Sequence, residues 1–493
     1  VAEANKQRNP LVATGITGFD DIIGGGFSPR RLYLIEGDPG AGKTTLALQY
    51  LLEGRQRGER GLYVTLSETR EELDGVAQSH GWSLEGIEIC ELIPSEESLL
   101  PEAQARMFHP SEVELSETTK AVLAEVERIE PTRVVFDSLS ELRLLAQSPL
   151  RYRRQILALK QFFSGRNCTV LLLDDRTSES ADLQLHSLAH GVVVLQQLAP
   201  EYGAERRRLR VIKMRGKRFR GGFHDFSILE GGLEVYPRLV ASEHRQPFLA
   251  GQLSSGVPEI DQLLGGGLDR GTSALLMGPA GSGKSSLAIQ YAVAAAERGE
   301  HAIVYTFDES LTTLLSRMAG LGIDLATHVD SGLIDVQQID PGELSPGEFI
   351  HRLRGGTEVL GAKVVVIDSL NGYLSAMPEE RFLIIQLHEL LTYLGQRGVV
   401  TLLVVAQHGI LGSGMQSPVD ASYLADSVVL FRYYEAQGSL HRAISVVKKR
   451  SGFHEATLRQ LRLSDQGIWV GEPLTNFQGV LTGTPTFISK AGA

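Results

Sequence analysis

Two stretches of this 493-residue chain carry the spacing G-x4-G-K-[ST]: Gly37-Asp38-Pro39-Gly40-Ala41-Gly42-Lys43-Thr44 and Gly278-Pro279-Ala280-Gly281-Ser282-Gly283-Lys284-Ser285. Glycines at these positions let the backbone wrap phosphate oxygens and turn its N–H groups toward them. The lysine ammonium then bridges the β- and γ-phosphates, and the Thr44 or Ser285 hydroxyl completes the shell of a Mg2+ ion. Each loop follows an apolar run and precedes a helix-compatible one, LALQY or LAIQY. The positive end of that helix adds a fixed attraction for anions.

Acidic residues recur at matching places. Asp137 closes RVVFD and Asp368 closes KVVVID. A carboxylate after an apolar strand, downstream of a phosphate loop, suits water-mediated Mg2+ coordination, although a helix cap would use the same residue. The adjacent Ser138 and Ser369 read as caps or as holders of those aspartates. Ser67-Glu68-Thr69 and Asp308-Glu309-Ser310 follow two further strand-like runs. Glu68 and Glu309 could orient water or a hydroxyl toward a γ-phosphate, or simply place negative charge at a helix start. Asp308 gives the second copy a carboxylate pair where Ser67 leaves the first with one, which predicts unequal chemistry.

Two basic segments complete the set: RRRLRVIKMRGKRFR at 206–220, with nine Lys or Arg, and HRAISVVKKRSG at 441–452. Three uses stand open. They could track nucleic-acid phosphates, line a solvated edge strand, or reach across a subunit interface to ATP. The matched late positions of Lys213 and Arg215, and of Lys448 and Arg450, favour the third.

The elements that must position these groups are themselves repeated. Residues 15–50 and 256–291 align at an offset of 241 without a gap, with 14 of 36 positions identical, including GGG at 24–26 and 265–267. The offset becomes 231 between Asp137 and Asp368 and 235 between Lys213 and Lys448. A period this long means two complete domains, with a boundary between about 239 and 250. The apolar runs at 32–37, 61–66, 133–137 and 169–175, and at 274–279, 302–307, 363–368 and 401–407, are continuous rather than alternating. That pattern suits parallel strands covered on both faces, with helices from segments such as 151–163 and 380–394. Each domain therefore reads as α/β around a mostly parallel sheet, with 208–215 and 440–450 as exposed or antiparallel edge strands.

Composition narrows the classes. With 48 Lys plus Arg against 59 Asp plus Glu, the net charge of -11 argues against indiscriminate nucleic-acid coating. Cys90 and Cys168 are too few for a disulfide framework and suit a reducing compartment. No run approaches the ~18 apolar residues of a membrane span. VAEANKQRNP lacks the apolar core of a secretion signal, so the expected location is cytoplasmic.

Taken together, G-x4-D-x3-GGG before each loop, TLSET and TFDES, VVFDS and VVIDS, and IKMRG and VKKRS make the chain resemble the KaiC family over about residues 12–487. These are double-domain, RecA-like ATPases and circadian-clock protein kinases. The resemblance implies tandem RecA-like P-loop NTPase domains at 1–240 and 250–487, with a short tail at 488–493. It implies a two-tiered homohexamer with Mg2+ and ATP between neighbouring protomers. The first domain would be an ATPase tier, and the second would transfer phosphate to a side-chain hydroxyl. The family's paired glutamates match Ser67-Glu68 and Asp308-Glu309, so Ser67 departs from the first-domain base. Lys213, Arg215, Lys448 and Arg450 match interfacial nucleotide contacts, with Ser451 replacing the usual glycine. The family's Ser–Thr phosphoacceptor pair is similar to Ser422-Tyr423, which places the main acceptor at Ser422. Members with a full clock carry a longer C-terminal peptide that recruits an activating partner, most of which is expected to be missing after Ala493. A regulatory protein partner fits this reading; nucleic acid and membrane do not. A signalling switch with little kinase activity and a DNA-associated RecA-like ATPase remain as alternatives.

Overall fold

In both halves of the chain, short apolar runs are buried along nearly their whole length, as parallel strands covered on both faces must be. The structure, a computed structural model, describes residues 10–92, 110–146, 148–176, 183–200, 203–375, 383–407, 423–480 and 486–487. The tail at 488–493 lies outside them. The chain divides into two compact units on either side of the Arg238–Leu239 bond.

The first unit is built on β1 (Leu32–Gly37), β2 (Gly61–Thr65), β3 (Ile87–Glu91), β4 (Arg133–Asp137), β5 (Thr169–Asp175), β6 (Gly191–Leu198), β7 (Arg206–Met214), β8 (His224–Leu229) and β9 (Gly232–Tyr236). Their order across one sheet is β3-β2-β4-β5-β1-β6-β7-β8-β9. Neighbours from β3 to β6 run parallel, and the last three strands are added antiparallel. Alternation along β1 sends Tyr33 and Ile35 to a core shared with the helix Lys43–Gln56. It sends Leu32 and Leu34 to a core on the opposite face with the helix Pro149–Ser164.

The second unit opens with a ribbon of β10 (Gln252–Leu253) and β11 (Leu268–Asp269). Its main strands are β12 (Ser273–Gly278), β13 (Ala302–Thr306), β14 (Ile334–Gln338), β15 (Val364–Asp368), β16 (Val400–Ala406), β17 (Ser427–Ala436), β18 (Ser439–Lys449), β19 (Arg459–Ser464) and β20 (Gly467–Pro473). Their order, β14-β13-β15-β16-β12-β17-β18-β19-β20, repeats that of the first unit strand for strand. A last pair, β21 (Phe477–Gln478) and β22 (Thr486–Phe487), is antiparallel. Both units thus have the expected α/β architecture of tandem RecA-like domains.

One expectation needs correction. The basic segments form antiparallel strands, but β7 and β18 lie inside their sheets rather than at the edge. The hairpins β8–β9 and β19–β20 add outside them, pairing over Arg207–Leu209 and Arg442–Ile444. Residues 239 and 240 fall with the second unit. Leu239 and Ala241 are buried in its core, and the Ala241 N–H donates to the Glu389 carboxylate at 3.0 Å.

The repeated G-x4-D-x3-GGG turns out to be a turn device. Asp20 accepts from the Thr14 N–H and hydroxyl, Asp261 accepts from Ser254 and Ser255, and all six glycines of the two triplets have positive φ. A Cβ at Gly26, where φ is 121°, would stand 2.5 Å from the Val12 carbonyl oxygen. Gly26→Ala should therefore destabilise the first unit by about 2 kcal/mol or more. Thermal unfolding followed by circular dichroism checks this, and an unchanged midpoint contradicts it.

Candidate phosphate-binding and transfer sites

Because β1 lies between β5 and β6, and β12 between β16 and β17, both glycine loops leave their sheets at the carboxyl-end crevice where an α/β fold takes ligands. Gly40 and Gly42 (φ 77° and 94°) and Gly281 and Gly283 (φ 72° and 105°) give the two loops one backbone path. Gly42 and Gly283 each start a 14-residue helix with no side-chain cap. The first N–H groups of each helix are thus left for an oxyanion.

The lysines differ. Lys43 donates to the carbonyls of Gly37 (3.1 Å) and Asp38 (3.0 Å) and forms an ion pair with Asp175 at 2.7 Å. Lys284 donates to the Pro279 carbonyl at 2.7 Å, and burial pushes its pKa down to about 8 despite the pull of Asp368.

Asp137 and Asp368 end β4 and β15, the first buried and the second half-buried, with the Thr44 and Ser285 hydroxyls close to them. Burial raises the pKa of both. Tyr63 also donates to Asp137. Among the described residues no group of three or more His, Cys, Asp or Glu could enclose a metal. One hydroxyl and one carboxylate per loop instead fit Mg2+, which keeps several waters and takes further oxygens from phosphate. The peptide bonds after both aspartates are cis. Ser369 holds Asp308 rather than Asp368: its hydroxyl donates to that carboxylate at 2.6 Å and accepts the Gly372 N–H at 3.3 Å.

Glu68 and Glu309 sit in matching turns, with the Thr65 or Thr306 hydroxyl donating to the glutamate carbonyl at 2.8 Å. Their surroundings diverge. Oε2 of Glu68 is buried with no hydrogen-bond partner in the structure, and burial, then the charges of Asp137 and Glu72, push its pKa up to about 7. Glu309 accepts a bidentate pair from Nε and Nη2 of Arg317, at 2.9 and 2.6 Å, while Arg317 also reaches the Ser286 hydroxyl at 3.1 Å. The residue 241 places earlier is Val76. The second copy therefore commits Glu309 to an arginine and leaves Asp308, exposed and oriented by Ser369, as its free carboxylate. The motif also starts helices, since Thr69 forms a capping box with Glu72 and Ser310 caps Thr313.

The basic pairs stand elsewhere. Lys213 lies opposite Val192 and Lys448 opposite Val428, at the starts of β6 and β17. That is toward the amino end of each sheet, three residues or about 10 Å of strand below the start of the loop of the same unit. There Lys213 donates to the carbonyls of His186 and Ala189, and Arg215 to Ser187 at 2.8 Å. Lys448 donates to Ala425 at 2.7 Å. Arg450 joins Asp426 at 3.2 Å and the Tyr423 carbonyl at 2.8 Å. Tyr423 is exposed; Ser422 lies outside the described residues.

The sequence reading missed three contacts. Asp175 and Arg317 touch site residues but have no counterpart in the other copy. Arg442 donates to the Gly281 carbonyl at 3.2 Å, beside Tyr433, whose hydroxyl donates to Ala280 at 3.2 Å. Its mate Arg207 lies 235 residues earlier, the same offset as Lys213 to Lys448, so that signal was present in the repeat.

A carboxylate raised from 4.5 to about 7 burdens the folded state as pH rises. Below the unfolded value Glu68 is protonated in both states and the burden vanishes; above about 7 it is full. Glu68→Gln should therefore stabilise the first unit by about 2 kcal/mol at pH 8 and much less at pH 5. Midpoints that shift equally at the two pH values would refute this.

A family model described as "ATPase: KaiC" matches residues 12–240 and 253–475. The "Circadian clock protein KaiC3" of Synechocystis is 26% identical over 486 residues, covering 97% of this chain and 95% of its own. The "Circadian clock oscillator protein KaiC" of Parathermosynechococcus lividus is 26% identical, covering 97% and 89%. That of a Prochlorococcus marinus strain is 27% identical, covering 97% and 95%. With both loops, both sheets and both halves matched, the chain belongs to the KaiC family of double-domain, RecA-like ATPases.

Proposed function

We propose that this protein is a Mg2+-dependent ATPase and serine/threonine autokinase that works as a head-to-tail ring, a homohexamer as in its family. The observation that carries the reading is the contact between Arg450 and the Tyr423 carbonyl, at the amino end of a sheet whose phosphate loop lies at the carboxyl end. The candidate basic pair and Tyr423 of one subunit thus share a corner away from their own Lys284. Both reach ATP only on a neighbour, which a heterologous ring contact supplies.

In the second domain, the Gly278–Ser285 backbone and Lys284 hold the phosphates of ATP. Ser285 and Asp368 would hold Mg2+, which when bound neutralises charge on the β- and γ-oxygens. Asp308 orients the Ser422 hydroxyl of the neighbour and takes its proton as the Ser422 O–P bond forms and the β–γ bridging bond breaks, releasing ADP. The neighbour's Lys448 and Arg450 neutralise the charge that spreads over the transferring group. In the first domain, Gly37–Thr44 and Asp137 play the corresponding binding parts, Glu68 orients water, and Lys213 and Arg215 serve the next subunit. With one carboxylate near neutrality, that domain hydrolyses rather than phosphorylates. The curated relatives are named as clock proteins, so a cytoplasmic signalling role with a regulatory protein partner is the natural context.

The neutralisation of Glu309 by Arg317 favours a second reading, a nucleotide-driven switch with little kinase activity. Nucleic-acid binding gains nothing from the structure: Arg208 and Arg210 lie over the Phe223 ring and Lys217 donates to the Gly26 carbonyl.

Incubation with γ-labelled ATP separates these readings. Label should appear on Ser422, fall about 100-fold or more in Lys284→Ala, and persist in Lys43→Ala, which loses mainly the hydrolysis of the first tier. Asp308→Asn should slow labelling about 100-fold while leaving ATP bound. Free labelled phosphate with none on protein would leave an ATPase or switch and end the autokinase reading.

A further inference from the structure

The two domains share a tether beside the phosphate loop but hang different side chains on it. In the first, the Ser140 hydroxyl accepts the Asp175 N–H at 3.1 Å. In the second, the Asn371 carboxamide accepts the Ala406 N–H at 2.9 Å and donates to the Ala406 carbonyl at 2.9 Å. The strand registers agree, since Asp175 lies opposite Gly37 and Ala406 opposite Gly278. One backbone position at the mouth of the loop thus carries a carboxylate in one copy and a methyl in the other.

Neighbouring contacts hold that carboxylate in place. Asp174 is locked by Arg143 at 2.6 Å and Ser140 at 3.0 Å, so the end of β5 is pinned on both sides of the chain. Asp175 reaches Lys43 at 2.7 Å, and the Lys43 side chain is only 9% exposed. A nearly buried ammonium needs anionic or carbonyl oxygens, and here it has a carboxylate and two carbonyls where phosphate oxygens would otherwise stand. Among the described residues the Lys284 ammonium hydrogen-bonds the Pro279 carbonyl and forms no ion pair as close as that of Lys43.

We propose that Asp175 sets the affinity and phosphate preference of the first site by acting as an internal competitor for Lys43. Nucleotide enters the first loop by displacing the carboxylate, which then stays beside the terminal phosphate and repels it. The penalty is larger for a triphosphate, whose γ-phosphate brings further negative charge next to Asp175, than for a diphosphate. The second site, with Ala406, carries no such penalty. The result is a first loop that holds nucleotide more loosely and discriminates less in favour of ATP over ADP.

This inference rests on the reading that the first loop binds Mg·ATP, and the test separates the two. Equilibrium binding of ADP and of a non-hydrolysable ATP analogue with Mg2+ is measured on the full chain carrying Lys284→Ala, so that only the first loop responds. Asp175→Asn and Asp175→Ala should each tighten the triphosphate about tenfold and the diphosphate less, a gain that loss of a merely structural contact does not give. The reciprocal Ala406→Asp, in a chain carrying Lys43→Ala, should weaken triphosphate binding at the second loop about tenfold. Affinities that stay unchanged or fall in the Asp175 variants, or an Ala406→Asp chain that binds like its parent, overturn the competitor role alone. A first loop that retains no nucleotide with or without Asp175 overturns both readings.

Discussion

A lysine ammonium sits almost dry at the mouth of each parallel sheet, and everything around it answers the need to give that charge an oxygen partner. Ammonium burial is tolerated only where oxygens are fixed in advance, and the glycine loop fixes them with its own carbonyls. Flanking strands must then end at the same level, which the parallel registers of β1 with β5 and of β12 with β16 ensure. The helices after each loop begin uncapped for the same reason: their free N–H groups belong to whatever anion the lysine recruits.

From that shared constraint the two copies part company through a few side chains. Val76 in one helix and Arg317 in its mate decide whether the glutamate eight residues earlier stays unpaired or is neutralised. Glu68, with an unpartnered buried oxygen and a pKa near 7, is poised to exchange a proton under ordinary conditions. Asp308 is instead exposed and aligned by a serine hydroxyl. The scaffold is common; the proton chemistry is local.

Much of this could be read from residue order, because the information was repeated. Strands such as 133–137 and 169–175 were legible as unbroken apolar runs, and the loops as spaced glycines with a lysine. The triple glycines were legible as important but not as turns, since only coordinates show a Cβ at Gly26 striking the Val12 carbonyl. Asp175 and Arg317 were hidden because each acts in one copy only, Asp175 meeting Lys43 across the fold and Arg317 meeting Glu309 eight residues back. The interior position of β7 and β18 was hidden too, because their alternating, charged pattern looks like an edge until β8 and β19 are seen to pair with them.

On the proposed reading, each sheet carries phosphate-holding groups at one end and guanidinium and ammonium donors for a neighbour at the other. A subunit so built is directional, like a link with a hook and an eye. Joined in an open row, n links make n−1 finished junctions and leave one hook and one eye idle at the extremities. Closing the row adds the last junction without another subunit, so completeness itself favours a closed circle over a filament of the same parts.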